Sequence, residues 1–494
     1  DTDRSRGLGD VYKRQLQSYS FSNIDHFSVS SLVTRLTSDV TNIQNAVSTG
    51  MRPFGRSPVM LIFATSFAFR INSTLALVFL VALPTLAVLL ILIIINVGPL
   101  YGRMQSAIDQ VNRCIQENLT AIRVVKSYVR GDYEVEKFGV VNENLKSESE
   151  KAFGTAVLNM PAMQFVMYGT ILGILLIGGR LINEGQMMIG QLTSFLSYVL
   201  LILNSLMMMS NVFLLMTRSL ASAERIMEVI DEKIDITDEN AKDIAVAKGE
   251  IEFDHVWFKY KDTAKEYVLS DVSFHIKPGQ TVGIIGQTGS SKTTLVQLIP
   301  RLYDVTKGEV KIDGINVKEY PVRHLRDAVA MVLQKNTLFS GSLIDNLRWG
   351  NENATLDEIK EACQIACVDE FVDRLADGYD TGMGQEGVNV SGGQKQRICI
   401  ARAILKKPKV LILDDSTSAV DTATEAKIRS GLAEKLPDMT KIIIAQRISS
   451  VRHADQIIIM DRGHVEAIGT HESLLRDNQI YQEIYASQKE GADL

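Results

Sequence analysis

The chain changes character near its middle, from long apolar runs to short apolar segments separated by polar ones. In the first half, four stretches carry little or no charge, at about 52–71, 75–98, 152–179 and 186–217. Each is long enough as a helix to cross a hydrocarbon core of roughly 30 Å. The alternative for each run is a helix buried in a protein core. Length and charge segregation together favour four membrane-spanning helices.

Basic residues are concentrated in the polar segment between the second and third runs, at about 101–151. They are Arg103, Arg113, Arg123, Lys126, Arg130, Lys137, Lys146 and Lys151. The loops on the opposite side carry little beyond Arg70 and Arg180. Because Lys and Arg are in excess on the cytoplasmic side of membrane proteins, this segment is predicted to be cytoplasmic. An even number of spans then returns the chain to the cytoplasm at Arg218.

From residue 249 the apolar positions fall into short strand-like segments, such as GEIEFDHVWFKY and TVGIIG, that alternate with helical ones. This alternation predicts an α/β fold. The predicted organisation is an α-helical transmembrane domain at 16–218, a linker at 219–248 that is helical and then acidic, and an α/β domain at 249–488.

A strand, a small-residue loop and a helix follow one another in TVGIIGQTGSSKTT. In a P-loop, backbone N–H groups surround nucleotide phosphates, the lysine reaches the β- and γ-phosphates, and the next hydroxyl holds Mg²⁺. The phosphate-binding candidates are Gly286, Gln287, Thr288, Gly289, Ser290, Ser291, Lys292, Thr293 and Thr294. One position departs from the motif, since Ser291 stands where Gly precedes the lysine. The alternative is a Gly/Ser surface turn, which the flanking strand and Lys292 disfavour.

Two carboxylates end the buried-strand run KVLILDD. A carboxylate at a strand end beside a P-loop typically orients Mg²⁺, which assigns that role to Asp414, and Asp415 stands where a water-activating base would be. Upstream, VSGGQKQR places Gly392 and Gly393 before a basic helix, a second phosphate-binding design. This pattern is specific because it lies about 100 residues after the P-loop and about 20 before the strand.

The motifs Gly286–Thr294, Ser391–Gln394, LILDD and STSAVD together resemble the nucleotide-binding domain of ATP-binding-cassette (ABC) transporters. With the apolar half in front, the chain is similar to an exporter-type half-transporter from about residue 16 to its C-terminus. The predicted fold class is therefore an α-helical transmembrane domain followed by an α/β P-loop nucleotide-binding domain.

The resemblance implies further roles by position. Tyr260 would stack on adenine, and Gln334 would be the Q-loop glutamine that senses Mg²⁺ and the membrane domain. Asp421 would be the D-loop aspartate, and Gln446 falls where the family has its switch histidine. The signature residues Ser391, Gly392, Gly393 and Gln394 would bind ATP, and Thr293, Gln334 and Asp414 would hold the metal. The segments FSNIDHF and ENLTAIRVV resemble the cytoplasmic coupling segments that dock onto the cassettes.

Three positions depart from the family's hydrolytic site. The family has Glu where this chain has Asp415, which is one methylene shorter. Gln446 replaces the switch histidine and cannot become cationic, and Ser291 adds a Cβ where the backbone should approach phosphate. The signature is intact apart from Val390 in place of the usual Leu.

In this family each ATP lies between one cassette's P-loop and the other's signature. The three departures therefore imply a heterodimer in which this chain's own site is degenerate and its signature completes the competent site of a partner. The alternative is a lax but working ATPase site.

Exporters of this type have six spans per half, so the chain is interpreted as carrying four of six spans. Residues 1–15, DTDRSRGLGDVYKRQ, match nothing in the family and are interpreted as a non-native or artefactual leader. The net charge of −6 gives no indication of nucleic acid binding. The cysteines form no C-x-x-C pair, which predicts reduced, mostly structural thiols.

The sequence thus predicts an ATP-driven exporter of an apolar or amphipathic substrate, with ATP and Mg²⁺ as cofactors and a second half-transporter as partner. We expect a multi-pass protein of the plasma membrane, the inner membrane in a bacterium, surrounded by lipid and with its nucleotide-binding domain in the cytoplasm. The substrate class stays open among small molecules, lipids and peptides. Two alternatives also stay open: a homodimeric exporter with slow ATPase activity, and a regulatory or ATP-gated ABC subunit.

Overall fold

A computed structural model of the chain describes residues 2–239, 241–261, 263–416 and 419–490. The chain divides into two compact units. The first contains the residues up to Tyr12 and Ser30–Ile230, and the second contains Lys13–Val29 and the chain from Asp231 onward.

The chain up to Ile230 is helical. Its helices are α1 (Thr2–Ser18), α2 (Phe21–His26), α3 (Val29–Thr34), α4 (Val40–Asn45), α5 (Met51–Ile71), α6 (Ser73–Thr120), α7 (Ile122–Ser127), α8 (Gly131–Val157), α9 (Asn159–Asn183) and α10 (Ile189–Ile230). Turns of π-helix at Arg35–Asp39 and Ala46–Gly50 join α3, α4 and α5 without a break. Helix α10 covers the first part of the predicted 219–248 linker, and the acidic part follows it.

Two segments among the described residues are long and apolar enough to cross a membrane, Gln164–Asn183 and Ile189–Met209. A shorter apolar segment covers Ser73–Leu89. The first two overlap the predicted spans at 152–179 and 186–217 but have different ends. The number of four spans stays a prediction, and so do the domain limits.

The helices of the first unit pack through small and aromatic residues. Ala64 and Ala68 of α5 are buried, and small side chains allow helices to approach closely. The rings of Phe79 in α6 and Phe195 in α10 stack with their centroids 5.5 Å apart. This core packs the apolar stretches of α5, α6, α9 and α10 against one another.

Helix α1 includes most of the residues interpreted as a foreign leader. Tyr12 is fully buried, and its hydroxyl donates a hydrogen bond to the carbonyl oxygen of Leu32 at 3.1 Å. The foreign origin of residues 1–15 stays a prediction.

The second unit is built around three sheets. Its strands are β1 (Ile251–Phe258), β2 (Leu269–Ile276), β3 (Thr281–Gly286), β4 (Lys307–Ile312), β5 (Ile315–Asn316), β6 (Val329–Val332), β7 (Gly341–Ser342), β8 (Gly382–Met383), β9 (Val410–Asp414), β10 (Thr440–Ile444), β11 (Gln456–Asp461) and β12 (His464–Gly469). Its later helices are α11 (Lys292–Gln297), α12 (Val322–Ala328), α13 (Leu343–Arg348), α14 (Leu356–Ile365), α15 (Asp369–Val372), α16 (Gly392–Leu405), α17 (Thr422–Lys435), α18 (Ile448–Val451), α19 (His471–Asp477) and α20 (Gln479–Glu490).

The six-stranded sheet has the order β12-β11-β3-β10-β9-β6 and is parallel except for β12. The other sheets are antiparallel, one of four strands in the order β2-β1-β4-β5 and one formed by β7 and β8. In the large sheet, Ile444 of β10 pairs with Ile284 of β3 and with Asp414 of β9. The carboxyl ends of the three central strands therefore lie level, and the loops that follow them meet at one edge.

The segment FSNIDHF, which resembles a coupling segment, forms α2 and belongs to the second unit. Ser20 caps this helix through a capping box with Asn23. The Tyr303 hydroxyl donates to Asp25 Oδ2 at 2.7 Å, and the rings of Phe21 and Tyr303 lie 6.1 Å apart. These contacts fix α2 on the second unit.

Candidate functional site

A cavity of about 310 Å³ opens where β3, β9 and β10 end. Its wall residues are Thr288, Gly289, Ser291, Lys292, Thr293, Thr294, Gln334, Asp414, Asp415, Ile444 and Gln446. All of them except Ile444 are residues singled out in the sequence. The fold thus brings together side chains that are up to about 160 positions apart along the chain.

Lys292 is the first residue of α11, and its side chain folds back over the loop between β3 and α11. Its ammonium group donates to the carbonyl oxygens of Gly286 and Gln287, each at 2.8 Å, and to Ser290 Oγ at 3.1 Å. Burial lowers the pKa of Lys292. Gly286 is required by the neighbouring strand, because a Cβ there would lie 2.2 Å from the carbonyl oxygen of Met460.

Ser291 has a left-handed backbone conformation at the start of α11, with φ 71° and ψ 22°. An L-residue pays roughly 1–2 kcal/mol for this conformation, whereas glycine adopts it without that cost. The Ser291 side chain makes no capping hydrogen bond to α11 that would compensate. The departure from the P-loop motif is therefore also a source of backbone strain.

We expect Ser291→Gly to raise the free energy of unfolding by roughly 0.5–1 kcal/mol, because relief of the left-handed strain exceeds the added chain entropy of glycine. Thermal unfolding of the full chain measures this effect. Ser290→Gly is the matched control. Ser290 is buried and contacts Lys292, so this variant should lose stability. Equal losses in the two variants would contradict the assignment of strain to Ser291.

Asp414 ends β9 beside the first turn of α11. Thr293 Oγ1 donates to Asp414 Oδ1 at 3.1 Å, while the buried Asp414 Oδ2 has no hydrogen-bond partner among the described residues. Burial raises the pKa of Asp414, and the bond from Thr293 partly offsets the rise. A buried carboxylate oxygen without a partner, next to a hydroxyl, suits a hard divalent cation such as Mg²⁺.

Asp415 is bonded to two amides. Gln446 Nε2 donates to Asp415 Oδ2 at 2.7 Å, and Gln334 Nε2 lies 3.4 Å from the same oxygen. Burial raises the pKa of Asp415, and the two amide bonds counteract part of that rise. The backbone of Asp415 is left-handed, with φ 47°. The carboxylate at the base position is thus short, constrained and already engaged by neutral donors.

Tyr260 lies beside the P-loop helix. Its hydroxyl and Thr294 Oγ1 are 2.8 Å apart, and its ring meets Phe258 and Tyr303 nearly edge-on, with interplanar angles of 81° and 87°. The side chain is 44% exposed. A partly exposed aromatic ring held in this way can stack on a flat base, and the adenine-stacking role of Tyr260 stays a prediction.

The signature residues lie at the start of α16. Ser391 and Gln394 form a capping box in which each side chain bonds the backbone N–H of the other, at 2.9 and 3.3 Å. A Cβ on Gly393 would lie 2.7 Å from the carbonyl oxygen of Ala419, and the Ala419 N–H donates to Gln396 Oε1 at 3.0 Å. None of the signature residues is among the described wall residues of the cavity.

Asp421 follows this contact and caps α17. Its side chain accepts a hydrogen bond from the Thr424 N–H at 2.9 Å, and the same bond lowers the pKa of Asp421. The structure therefore gives Asp421 a local role as a helix cap, and its D-loop role stays a prediction.

Two residues that contact the site residues Tyr260 and Gln446 could not be identified from the motifs. Tyr303 connects α2 with Tyr260, and no sequence signal singles it out. Gln488 in α20 bonds the backbone at Gln446. Its position two helical turns after the apolar residue Tyr481 was a signal, since residues seven apart share a helix face.

The strand, loop and helix around Lys292, with carboxylates ending an adjacent parallel strand, define a P-loop nucleotide-binding protein. Comparison with known families agrees. The profile of the ABC transporter transmembrane region matches residues 10–206, and that of the ABC transporter matches residues 269–418.

The chain is 40% identical over 482 residues to the ABC transporter ATP-binding protein YfiB of Bacillus subtilis (strain 168), covering 97% of this chain and 83% of that protein. It is 33% identical over 462 residues to the ATP-dependent lipid A-core flippase of Desulfotalea psychrophila (strain LSv54 / DSM 12343), covering 92% and 80%. It also superimposes on a bacterial Atm1-family ABC exporter with ATP bound, with a TM-score of 0.86, 25% identity, and coverage of 99% of this chain and 86% of that one.

The chain therefore belongs to the ABC transporters. It is an exporter-type half-transporter in which a helical transmembrane domain precedes an ATP-binding domain, and the domain type is that of an ATP-hydrolysing transporter.

Proposed function

We propose that this chain is the degenerate-site half of a heterodimeric ABC exporter. Its own site binds Mg²⁺-ATP and hydrolyses it slowly, while its signature completes the competent site of a partner half-transporter. The observation that carries the proposal is the bond from Gln446 Nε2 to Asp415 Oδ2 at 2.7 Å. It joins two of the three departures from the hydrolytic pattern in a single contact.

ATP hydrolysis at this chain's own site is disfavoured by the side chains at two positions. Assistance from a general base contributes roughly 10²–10⁴ in rate, and the Asp415 carboxylate is one methylene shorter than the glutamate that the family uses. Gln446 keeps a hydrogen bond to the Asp415 carboxylate but cannot carry a positive charge near the γ-phosphate. Nucleotide binding depends instead on Lys292 and the loop amides, and Thr293, Asp414 and Gln334 would hold Mg²⁺.

The contribution to a partner rests on the signature. Ser391 and Gln394 form a closed capping box, and Gly393 fits closely against the backbone of Ala419. The signature residues lie outside the cavity beside this chain's own P-loop, as expected if they face a second cassette. This arrangement supports a dimer in which each ATP contacts both chains.

Exposed apolar surfaces on each unit also suit a second half-transporter. The helix α7, from the segment ENLTAIRVV, is followed by Val129, which is 87% exposed. On the second unit, a cavity of about 350 Å³ is lined by Leu333, Phe339 and Trp349, among others. We call it the aromatic groove; the Phe339 and Trp349 rings stack 4.1 Å apart there. We expect α7 of one half to dock in the aromatic groove of the other.

The substrate that fits the membrane unit is apolar or amphipathic. The predicted spans at 75–98, 152–179 and 186–217 contain no charged residue, so they offer no ion relay. One relative is named a lipid A-core flippase, which favours a lipid-like substrate here.

Transport by reconstituted vesicles tests the proposal. This chain would be placed in liposomes alone, and together with a candidate partner half-transporter that has Glu and His at the positions of Asp415 and Gln446. A fluorescent amphipathic lipid would be present on the accessible side. We expect ATP-dependent movement only when both halves are present.

Two results would contradict the heterodimer. Equal transport by this chain alone would establish a homodimeric exporter. Substrate flux supported as well by a non-hydrolysable ATP analogue would establish the regulatory, ATP-gated alternative.

A further inference from the structure

A glutamine in the C-terminal helix holds the backbone on both sides of Arg447, next to the switch position. Gln488 Nε2 donates to the carbonyl oxygen of Gln446 at 2.8 Å, and Gln488 Oε1 accepts from the Ile448 N–H at 2.8 Å. One side-chain amide thus satisfies a donor and an acceptor that belong to adjacent peptide groups. These contacts lie outside the P-loop, the signature and the strand-end carboxylates.

The sequence of α20 explains why Gln488 reaches this loop. Tyr481 is fully buried, and its hydroxyl lies 2.7 Å from His471 Nδ1. Ile484 and Tyr485 pack against the same core. Residues at i, i+3, i+4 and i+7 share one helix face, so anchoring Tyr481 places Gln488 on the inward face two turns later.

The bonded groups belong to the start of a short helix that needs a cap. Arg447 is the N-cap residue of α18, and its side chain provides no capping bond. Ile448 carries one of the helix's first N–H groups, which no intrahelical carbonyl can satisfy. Gln488 supplies this cap from another helix and at the same time fixes the orientation of the Gln446 peptide.

That peptide orientation sets the direction of the Gln446 side chain. Gln446 Nε2 reaches Asp415 Oδ2 at 2.7 Å, and a rotation of its backbone would move this amide away from the site. The path from α20 to the nucleotide cavity therefore consists of Gln488, the Gln446 backbone and the Gln446 amide, with no other residue between them.

We propose that Gln488 is the positioning residue of the switch: it holds Gln446 in the direction from which residue 446 distinguishes ATP from ADP. The proposal rests on the proposed function, in which Gln446 stands at the switch position beside the γ-phosphate. It also makes the C-terminal helix part of the nucleotide-sensing apparatus of this chain.

The test measures the affinities for ATP and ADP of the purified full chain in detergent, by competition against a fluorescent nucleotide. Gln488→Ala should lower the ratio of ATP to ADP affinity about fivefold, the effect of one net hydrogen bond, and leave the ADP affinity unchanged. Gln488→Glu keeps the acceptor for the Ile448 N–H but loses the donor to Gln446. It should lower the same ratio while preserving the fold.

Gln482→Ala is the matched control on the same helix. Gln482 Nε2 also makes two bonds, to the carbonyl oxygens of Leu475 and Arg476 at 2.8 and 3.0 Å, but it does not touch the switch loop. This variant should lose as much thermal stability as Gln488→Ala and keep the wild-type affinity ratio.

Three results would overturn the proposal. They are an unchanged ratio in both Gln488 variants, an equal loss of ATP and ADP affinity, and an unmodified chain that does not distinguish the two nucleotides. Failure of the degenerate-site proposal is a separate observation. Rapid single-turnover hydrolysis by the unmodified site would reject slow chemistry, and the dependence of the affinity ratio on Gln488 would still be measurable.

Discussion

Alanine at Ser391 or Gln394 should reduce ATP turnover by the heterodimer about 10²-fold, the usual cost of removing a donor that stabilises a transition state. In the proposed arrangement these residues act on the partner's competent site. Lys292→Ala should weaken ATP binding in this chain's own site and still leave much of the turnover, because that site contributes little chemistry.

The steady-state ATPase rate of the assembled heterodimer measures this difference. Loss of the Ser391 cap itself costs about 1 kcal/mol of stability, so a control must lose an equal cap elsewhere. Thr355 forms the same kind of capping box with Glu358 at the start of α14. Thr355→Ala should match the stability loss and retain turnover. A P-loop variant more harmful than the signature variants would show that the degenerate-site proposal is wrong.

Combining Asp415→Glu with Gln446→His should raise hydrolysis at this chain's own site about 10²-fold, within the range that general acid–base assistance provides. The longer side chain extends the carboxylate toward the attacking water. The imidazole can carry positive charge near the γ-phosphate. It replaces the Gln446 amide, which bonds the Asp415 carboxylate at 2.7 Å.

Single-turnover hydrolysis in the heterodimer, with the partner's P-loop lysine replaced, isolates this site. Asp415→Asn is the control, because it removes the carboxylate and should abolish the residual rate. A triple variant that adds Ser291→Gly reveals whether the left-handed serine limits the reaction. No gain in either the double or the triple variant would contradict the assignment of slow chemistry to these positions.

The sequence located most of the nucleotide cavity because its motifs follow strands. Lys292 comes after β3, Asp414 ends β9 and Gln446 follows β10. In a parallel sheet, the carboxyl ends of adjacent strands lie at one edge, where ligands bind. Recognising the strand ends next to Lys292 and at Asp414 was therefore sufficient to predict that these two residues would meet, whereas Gln446 was assigned through the resemblance to the family.

Other features depend on information that a motif does not contain. Ser291 was predicted to crowd phosphate through its Cβ, but its left-handed backbone is a property of the folded loop. The bond between Gln446 and Asp415 joins residues 31 positions apart. The two hydrogen bonds that Gln488 makes to the backbone around Arg447 depend on how α20 packs. The spans of the membrane half are harder to predict, because an apolar run indicates that a helix avoids water but does not show where its membrane segment begins.

Both tryptophans of the chain, Trp257 and Trp349, belong to the second unit. Trp349 is 65% exposed and lies in the aromatic groove, whereas Trp257 is half-buried against Tyr267. Indole fluorescence of this subunit therefore reports on the ATP-binding unit alone, even when the protein is embedded in a bilayer. A helix that docks in the groove would shield Trp349 from a soluble quencher, so assembly with a tryptophan-free partner can be followed without an attached dye.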